Sequence, residues 1–307
     1  MGVHEIEKLD VTYDNGYMNI HAVHWKQKGV APIGVIQIVH GLTEYADRYD
    51  SFARWFARRG YVVVAHDIQG HGESLYKDAK MHTCGWEHMV ADIETIYEDV
   101  RNLYPDVPYC LLGFSLGSFL VRDLLAKSDV KIDKVCLIGT GHIPVGVLNG
   151  MIGLMSIETA RHGETAVTPI VHNLTFCNYN NKFKPNDNMF DWLYVNRVFG
   201  REYEKDERRG GDLTCKFFLE FLKGMKSCAK GANIRKASGK VGDIYFISGS
   251  DDPVGGTKGV AKVKKLFDKY TDIKSQILIY PGLRHGVMQE CTTIKDDIYR
   301  WLKGELK

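Results

Sequence analysis

Ser115 lies at the centre of Gly113-Phe114-Ser115-Leu116-Gly117, a G-x-S-x-G pentapeptide. A serine hydroxyl is a poor nucleophile until a base takes its proton, and that base needs an acid to orient it. Here the pentapeptide stands between an apolar run, Tyr109–Phe114, and a helical run, Leu116–Leu125. So sharp a reversal from strand to helix puts the serine in a strained conformation with its hydroxyl exposed, and side chains two residues to either side would collide. The helix that follows points its partial positive end at the same place.

Sequence order restricts the base severely. Of twelve histidines, eleven lie at or before His172, and His285 stands alone in the last part of the chain. It follows the extended run Ser275–Tyr280 by a few residues, as a loop-borne base at a sheet edge should. The acid belongs after the preceding strand. There Gly249-Ser250-Asp251-Asp252-Pro253 offers two aspartates. Neighbouring residues point in opposite directions, so only one can face the imidazole; Asp252 is chosen, with Asp251 in reserve. His40-Gly41-Leu42 ends an earlier strand, where backbone N–H groups can converge on a carbonyl oxygen. The N–H groups of Leu42 and Leu116 are the expected oxyanion donors. His40 itself is read as a structural hydrogen-bonder. The glycine-rich run from Asp67 to Ser74 lacks phosphate-loop spacing and is read as a brace for the site. Neither His66, Asp67 and His71 nor His82, Cys84 and His88 needs a metal to make sense, so no metal is expected.

These residues require a sheet to hold them. Two alternating segments, around Val11–Tyr13 and Tyr17–Trp25 with Asp14-Asn15-Gly16 between them, predict a hairpin. Gly34–His40, Tyr61–Ile68, Tyr109–Phe114 and Lys134–Thr140 then read as buried strands separated by helical patterns, one with Met89, Ile93, Ile96 and Val100 at helical spacing. That rhythm means a mostly parallel sheet with crossover helices. It stops after Thr140 and resumes at Asp243–Ser250. A structureless loop of a hundred residues is improbable, so residues 141–239 are expected to form an inserted, mainly helical cap. The core is then 1–140 and 240–307. Met151, Ile152, Leu154, Met155, Phe176 and Met225 of the insertion are candidate lining for an apolar acyl pocket.

Composition excludes other classes. Forty basic against 38 acidic residues leave a net charge of +2, without the footprint of a nucleic-acid binder. Seven scattered cysteines without a C-x-x-C pair argue for a reducing compartment, and the chain is expected in the cytoplasm. No apolar stretch is long enough to span a bilayer.

With these motifs the chain resembles the monoacylglycerol lipase and lysophospholipase-like group of α/β-hydrolases, of the serine aminopeptidase S33 type. The features that carry the resemblance are His40-Gly41 with Glu44 and Arg48-Tyr49, the Asp67…Gly70-His71-Gly72-Glu73-Ser74 run and the Ser115 pentapeptide. Further on come Asp191-Trp192-Leu193 through Tyr203, Asp206 and Thr214, then Gly249 to Val254, and His285 through Glu290. The resemblance implies the α/β-hydrolase fold, a cap over an acyl pocket, a serine-ester intermediate, a small-molecule ester substrate and no cofactor. It also favours Asp252 as the acid. Phe114 departs from the pattern, standing where many lipase-like members carry histidine. Three other readings use the same frame. A proline-iminopeptidase type would bind a free amine with acids such as Glu202, Glu204 and Asp206. An acyltransferase would exclude water, and a non-catalytic ligand-binding module would keep only the pocket.

Overall fold

A computed structural model describes residues 5–174 and 179–306. The chain opens with an antiparallel pair, β1 (Ile6–Asp14) and β2 (Asn19–Gln27). Then come β3 (Gly34–Val39), α1 (Asp50–Ala57), β4 (Tyr61–His66), α2 (Trp86–Leu103), β5 (Tyr109–Phe114), α3 (Leu116–Lys127) and β6 (Ile132–Ile138). The sheet resumes with β7 (Val241–Gly249), α9 (Gly256–Tyr270) and β8 (Lys274–Tyr280), and the chain ends with α10 (Val287–Glu290) and α11 (Ile294–Leu302). Between β6 and β7 lie α4 (Val145–His162), α5 (Pro169–His172), α6 (Arg197–Lys205), α7 (Cys215–Ala229) and α8 (Gly231–Arg235), with no strand among the described residues.

All eight strands form one sheet in the order β1-β2-β4-β3-β5-β6-β7-β8. β2 pairs antiparallel with β4, and every pairing from β4 through β8 is parallel. Strands covered on both faces are largely apolar, and β3, β4 and β5 are buried throughout, with Gln37 of β3 satisfied by the Ile93 carbonyl and the Tyr109 hydroxyl. Alternation then sorts the side chains into two cores. Val35, Val64, Leu111, Val135 and Phe246 face α2, α3 and α9. Ile36, Val63, Leu112, Cys136 and Tyr245 face α1 and α11.

Strand ends shift by one to a few residues from the sequence reading, most at the first hairpin. β1 begins at Ile6, because an edge strand half open to water carries a mixed pattern that hides its start. The hairpin around Asn15-Gly16 has a four-residue loop, since Asp14 pairs with Asn19 and the Asn15 carboxamide accepts from the Tyr17 and Met18 N–H groups.

Candidate active site

The carboxyl ends of β5, β7 and β8 bring together the three residues that motif and chain order single out. Ser115 follows β5 at φ 51°, ψ −116°, a conformation that L-residues rarely adopt. The turn is tight enough that a Cβ on Gly113 would stand 2.7 Å from the Gly117 carbonyl oxygen. Ser115 Oγ lies 2.8 Å from His285 Nε2, and His285 Nδ1 lies 2.9 Å from Asp252 Oδ2. The Asp252 carboxylate is fully buried and also accepts from the Val254 N–H at 2.8 Å and the Ser248 hydroxyl at 3.2 Å. Asp251, the reserve, turns outward to Lys182 at 3.1 Å. Phe114 and Trp192 pack against the His285 ring, with centroids 5.1 and 5.3 Å away and planes inclined by 32° and 30°. Gly139, at φ +61°, closes in from below; a Cβ there would be 2.8 Å from His285 Cε1.

The Leu116 N–H is the first of α3, and neither it nor the Leu42 N–H has an acceptor among the described residues. The loop bearing Leu42 is built on buried groups. His40 accepts from the Ile68 N–H at 2.9 Å through Nε2, so its Nδ1–H donates to the Gly41 carbonyl at 2.7 Å. Burial pushes its pKa down to about 3, which keeps the ring neutral and structural, as its sequence context implied. Glu44 accepts from the Gly41 N–H (3.0 Å), the Tyr49 hydroxyl (2.6 Å) and Gln289 (2.9 Å). Asp67 braces the neighbouring loop by accepting from the Ala46 and Glu73 N–H groups at 2.7 and 2.9 Å.

A pocket opens beside Ser115. One wall is apolar, formed by Phe119 of α3, Met151 of α4, Leu174, and Phe218, Phe221 and Met225 of α7. The other carries Thr43, Glu44, Tyr194 and Tyr203. Of the six candidate lining residues, Met151 and Met225 are there. Ile152 and Met155 pack into the core between α4 and its neighbours, and Leu154 is exposed. Phe176 lies outside the described residues. The sequence reading erred because α4 is apolar on several faces, so its pattern does not say which face turns inward. Phe119 was missed, although its spacing of four from Ser115 puts it on the same face of α3. Of the acids considered for amine binding, Glu202 and Glu204 are exposed, while Asp206 accepts from Tyr45 and Arg48 at 2.6 and 3.2 Å.

A mostly parallel eight-stranded sheet with a serine on a strained turn after β5 is the α/β-hydrolase fold. Solved structures agree: the carboxyl esterase of Bacillus coagulans superposes with a TM-score of 0.88 at 21% identity, covering 97% of this chain and 98% of that one. Residues 30–292 match the model of the family described as serine aminopeptidase, S33, and the chain belongs to that family. Among curated relatives, the monoglyceride lipase of Rattus norvegicus is 36% identical over 106 residues, 34% of this chain and 33% of that protein. The match thus spans about a third of that relative. The monoglyceride lipase of Homo sapiens is 24% identical over 280 residues, 90% of this chain and 82% of that protein.

Proposed function

We propose that this chain is a serine hydrolase of carboxylic esters, acting on monoacylglycerol-like or related acyl esters through a covalent acyl-enzyme. The observation that carries the reading is His285, held between the Ser115 hydroxyl and the buried Asp252 carboxylate at the end of an apolar pocket. His285 Nε2 takes the proton as Ser115 Oγ attacks the carbonyl carbon. The Leu42 and Leu116 N–H groups receive the oxyanion. His285 then returns the proton to the departing alcohol, and a water repeats the sequence on the acyl-serine. Asp252 holds the Nδ1–H tautomer throughout. Residues 141–239 serve as the cap over the acyl chain, with Met151 and Met225 among the residues it touches. The monoglyceride lipase names of two relatives support this substrate class.

The family's aminopeptidase description suggests a different leaving group. An α-ammonium needs a free carboxylate, and Glu44 is the one acid among the described pocket-lining residues. Both of its oxygens already accept from protein donors. That favours an ester. The test is labelling by a fluorophosphonate probe together with turnover of p-nitrophenyl esters of graded chain length. Ser115→Ala should abolish both, and octanoate should be preferred to acetate. Undiminished labelling of Ser115→Ala overturns the nucleophile, and a preference for acetate overturns the lipid-like substrate.

A further inference from the structure

The residue after Leu42 is a buried, β-branched threonine at φ 60°, in the left-handed region that such side chains avoid. Backbone strain of this kind persists only where the surroundings hold it. Thr43 is held by its own hydroxyl, which donates to the Leu42 carbonyl at 2.6 Å, and by Tyr203 of α6, 160 residues away. The Tyr203 hydroxyl stands against Thr43 Oγ1 in a very short contact and 3.0 Å from the Thr43 carbonyl oxygen. The threonine hydroxyl thus donates to the Leu42 carbonyl and the tyrosine hydroxyl to the Thr43 carbonyl. The tyrosine ring is itself fixed, with the Arg48 guanidinium 4.7 Å from its centroid and Phe190 edge-on at 4.9 Å.

We propose that Tyr203 is a positioning residue that acts through Thr43 to hold the Leu42 N–H toward the oxyanion, so that the hole is complete only while the inserted helical segment is seated on the core. This rests on the assignment of Ser115 and Leu42 made above. The role differs from a substrate contact, which a tyrosine on a pocket wall could equally make, and the two separate in the kinetics. A contact to the departing alcohol matters in proportion to what that alcohol offers. A displaced oxyanion donor slows every ester alike.

The experiment compares wild type, Tyr203→Phe, Thr43→Val and Thr43→Ser on two butyrate esters, p-nitrophenyl butyrate and glycerol monobutyrate. Loss of a whole donor costs about 10²–10³-fold in kcat. A donor displaced rather than removed should cost about tenfold. Tyr203→Phe and Thr43→Val should each lower kcat by that factor on both esters with KM little changed. The double variant should be no worse than either single one, and Thr43→Ser should stay near wild type. Should Tyr203→Phe fail to fold, the Thr43 pair still decides. Unchanged kcat in Thr43→Val, equal loss in Thr43→Ser, or a Tyr203→Phe loss confined to the glycerol ester overturns the proposal. Wild-type protein that does not label with a fluorophosphonate overturns the underlying serine assignment instead.

Discussion

Replacing Ser115 by glycine should make the protein more stable than replacing it by alanine. At φ 51°, ψ −116° the Ser115 Cβ crowds the adjacent backbone, a conformation costing about 1–3 kcal/mol for an L-residue. Alanine keeps that Cβ and the strain with it; glycine removes both. Against this, glycine loses about 0.5–1 kcal/mol more conformational freedom on folding. Both variants lose the bond to His285, so that contribution cancels in the comparison. At the centre of these ranges the remainder favours Ser115→Gly by about 1.3 kcal/mol. For 307 residues, an unfolding entropy of about 2.1 cal/mol/K per residue gives about 0.6 kcal/mol/K. The expected difference in Tm is therefore about 2 °C, within reach of differential scanning calorimetry at fixed pH. Equal melting of the two variants, or a less stable glycine variant, refutes the argument that strain is stored at this turn.

Gly139→Ala would place a Cβ 2.8 Å from His285 Cε1 in a φ +61° backbone. The displaced imidazole should lose about 100-fold in kcat, read by steady-state ester hydrolysis. Asp252→Asn should cost about 10⁴-fold in kcat by favouring the wrong tautomer, while Asp251→Asn stays within about twofold because its carboxylate faces Lys182. Burial lowers the pKa of His24, His66 and His71 to about 4 and of His40 to about 3. In each case the unfolded ring, titrating near 6.5, binds its proton first, so the stability present above pH 6.5 is lost as pH falls toward 4. At pH 5.5 each such ring costs roughly 1 kcal/mol, so urea midpoints should already drop between pH 7.5 and 5.5. His21 works the other way. Its hydrogen bond to Asp67 raises its pKa to about 9, so the stability it adds below pH 6.5 fades as pH rises toward 9. A wild-type Tm that falls over this interval, and a smaller fall in His21→Gln, is the expected result.

The candidate site was legible where motif and chain order define it. Ser115, Asp252 and His285 each follow a strand at its carboxyl end, and strands declare themselves by their apolar runs. The pocket was less legible because it arises where distant segments meet. Met151 and Met155 are alike in type, yet one lines the pocket and the other is in the core, since the seating of α4 decides which side faces Ser115. Glu44 could be quoted as a motif residue, but that its carboxylate is consumed by Gly41, Tyr49 and Gln289 depends on α10 folding back from 245 residues away. Tyr203 could likewise be quoted as a motif residue, but its contact with Thr43 gave no signal, because backbone strain and a contact across 160 residues have no pattern in one dimension.

Phe114 stands where the family resemblance leads one to expect a histidine, and its ring packs against His285. In the proposed mechanism the imidazole of His285 carries a second proton only while the serine is being acylated or released. An aromatic face does little for the neutral form and attracts the cation, by about 0.5–2 kcal/mol for a cation–π pair out of water. With Trp192 also inclined at 30° to the imidazole, both neighbouring rings give their preference to the charged form. Phe114 therefore does more than fill space beneath His285: in the proposed mechanism it sets a π-face where the base gains its charge.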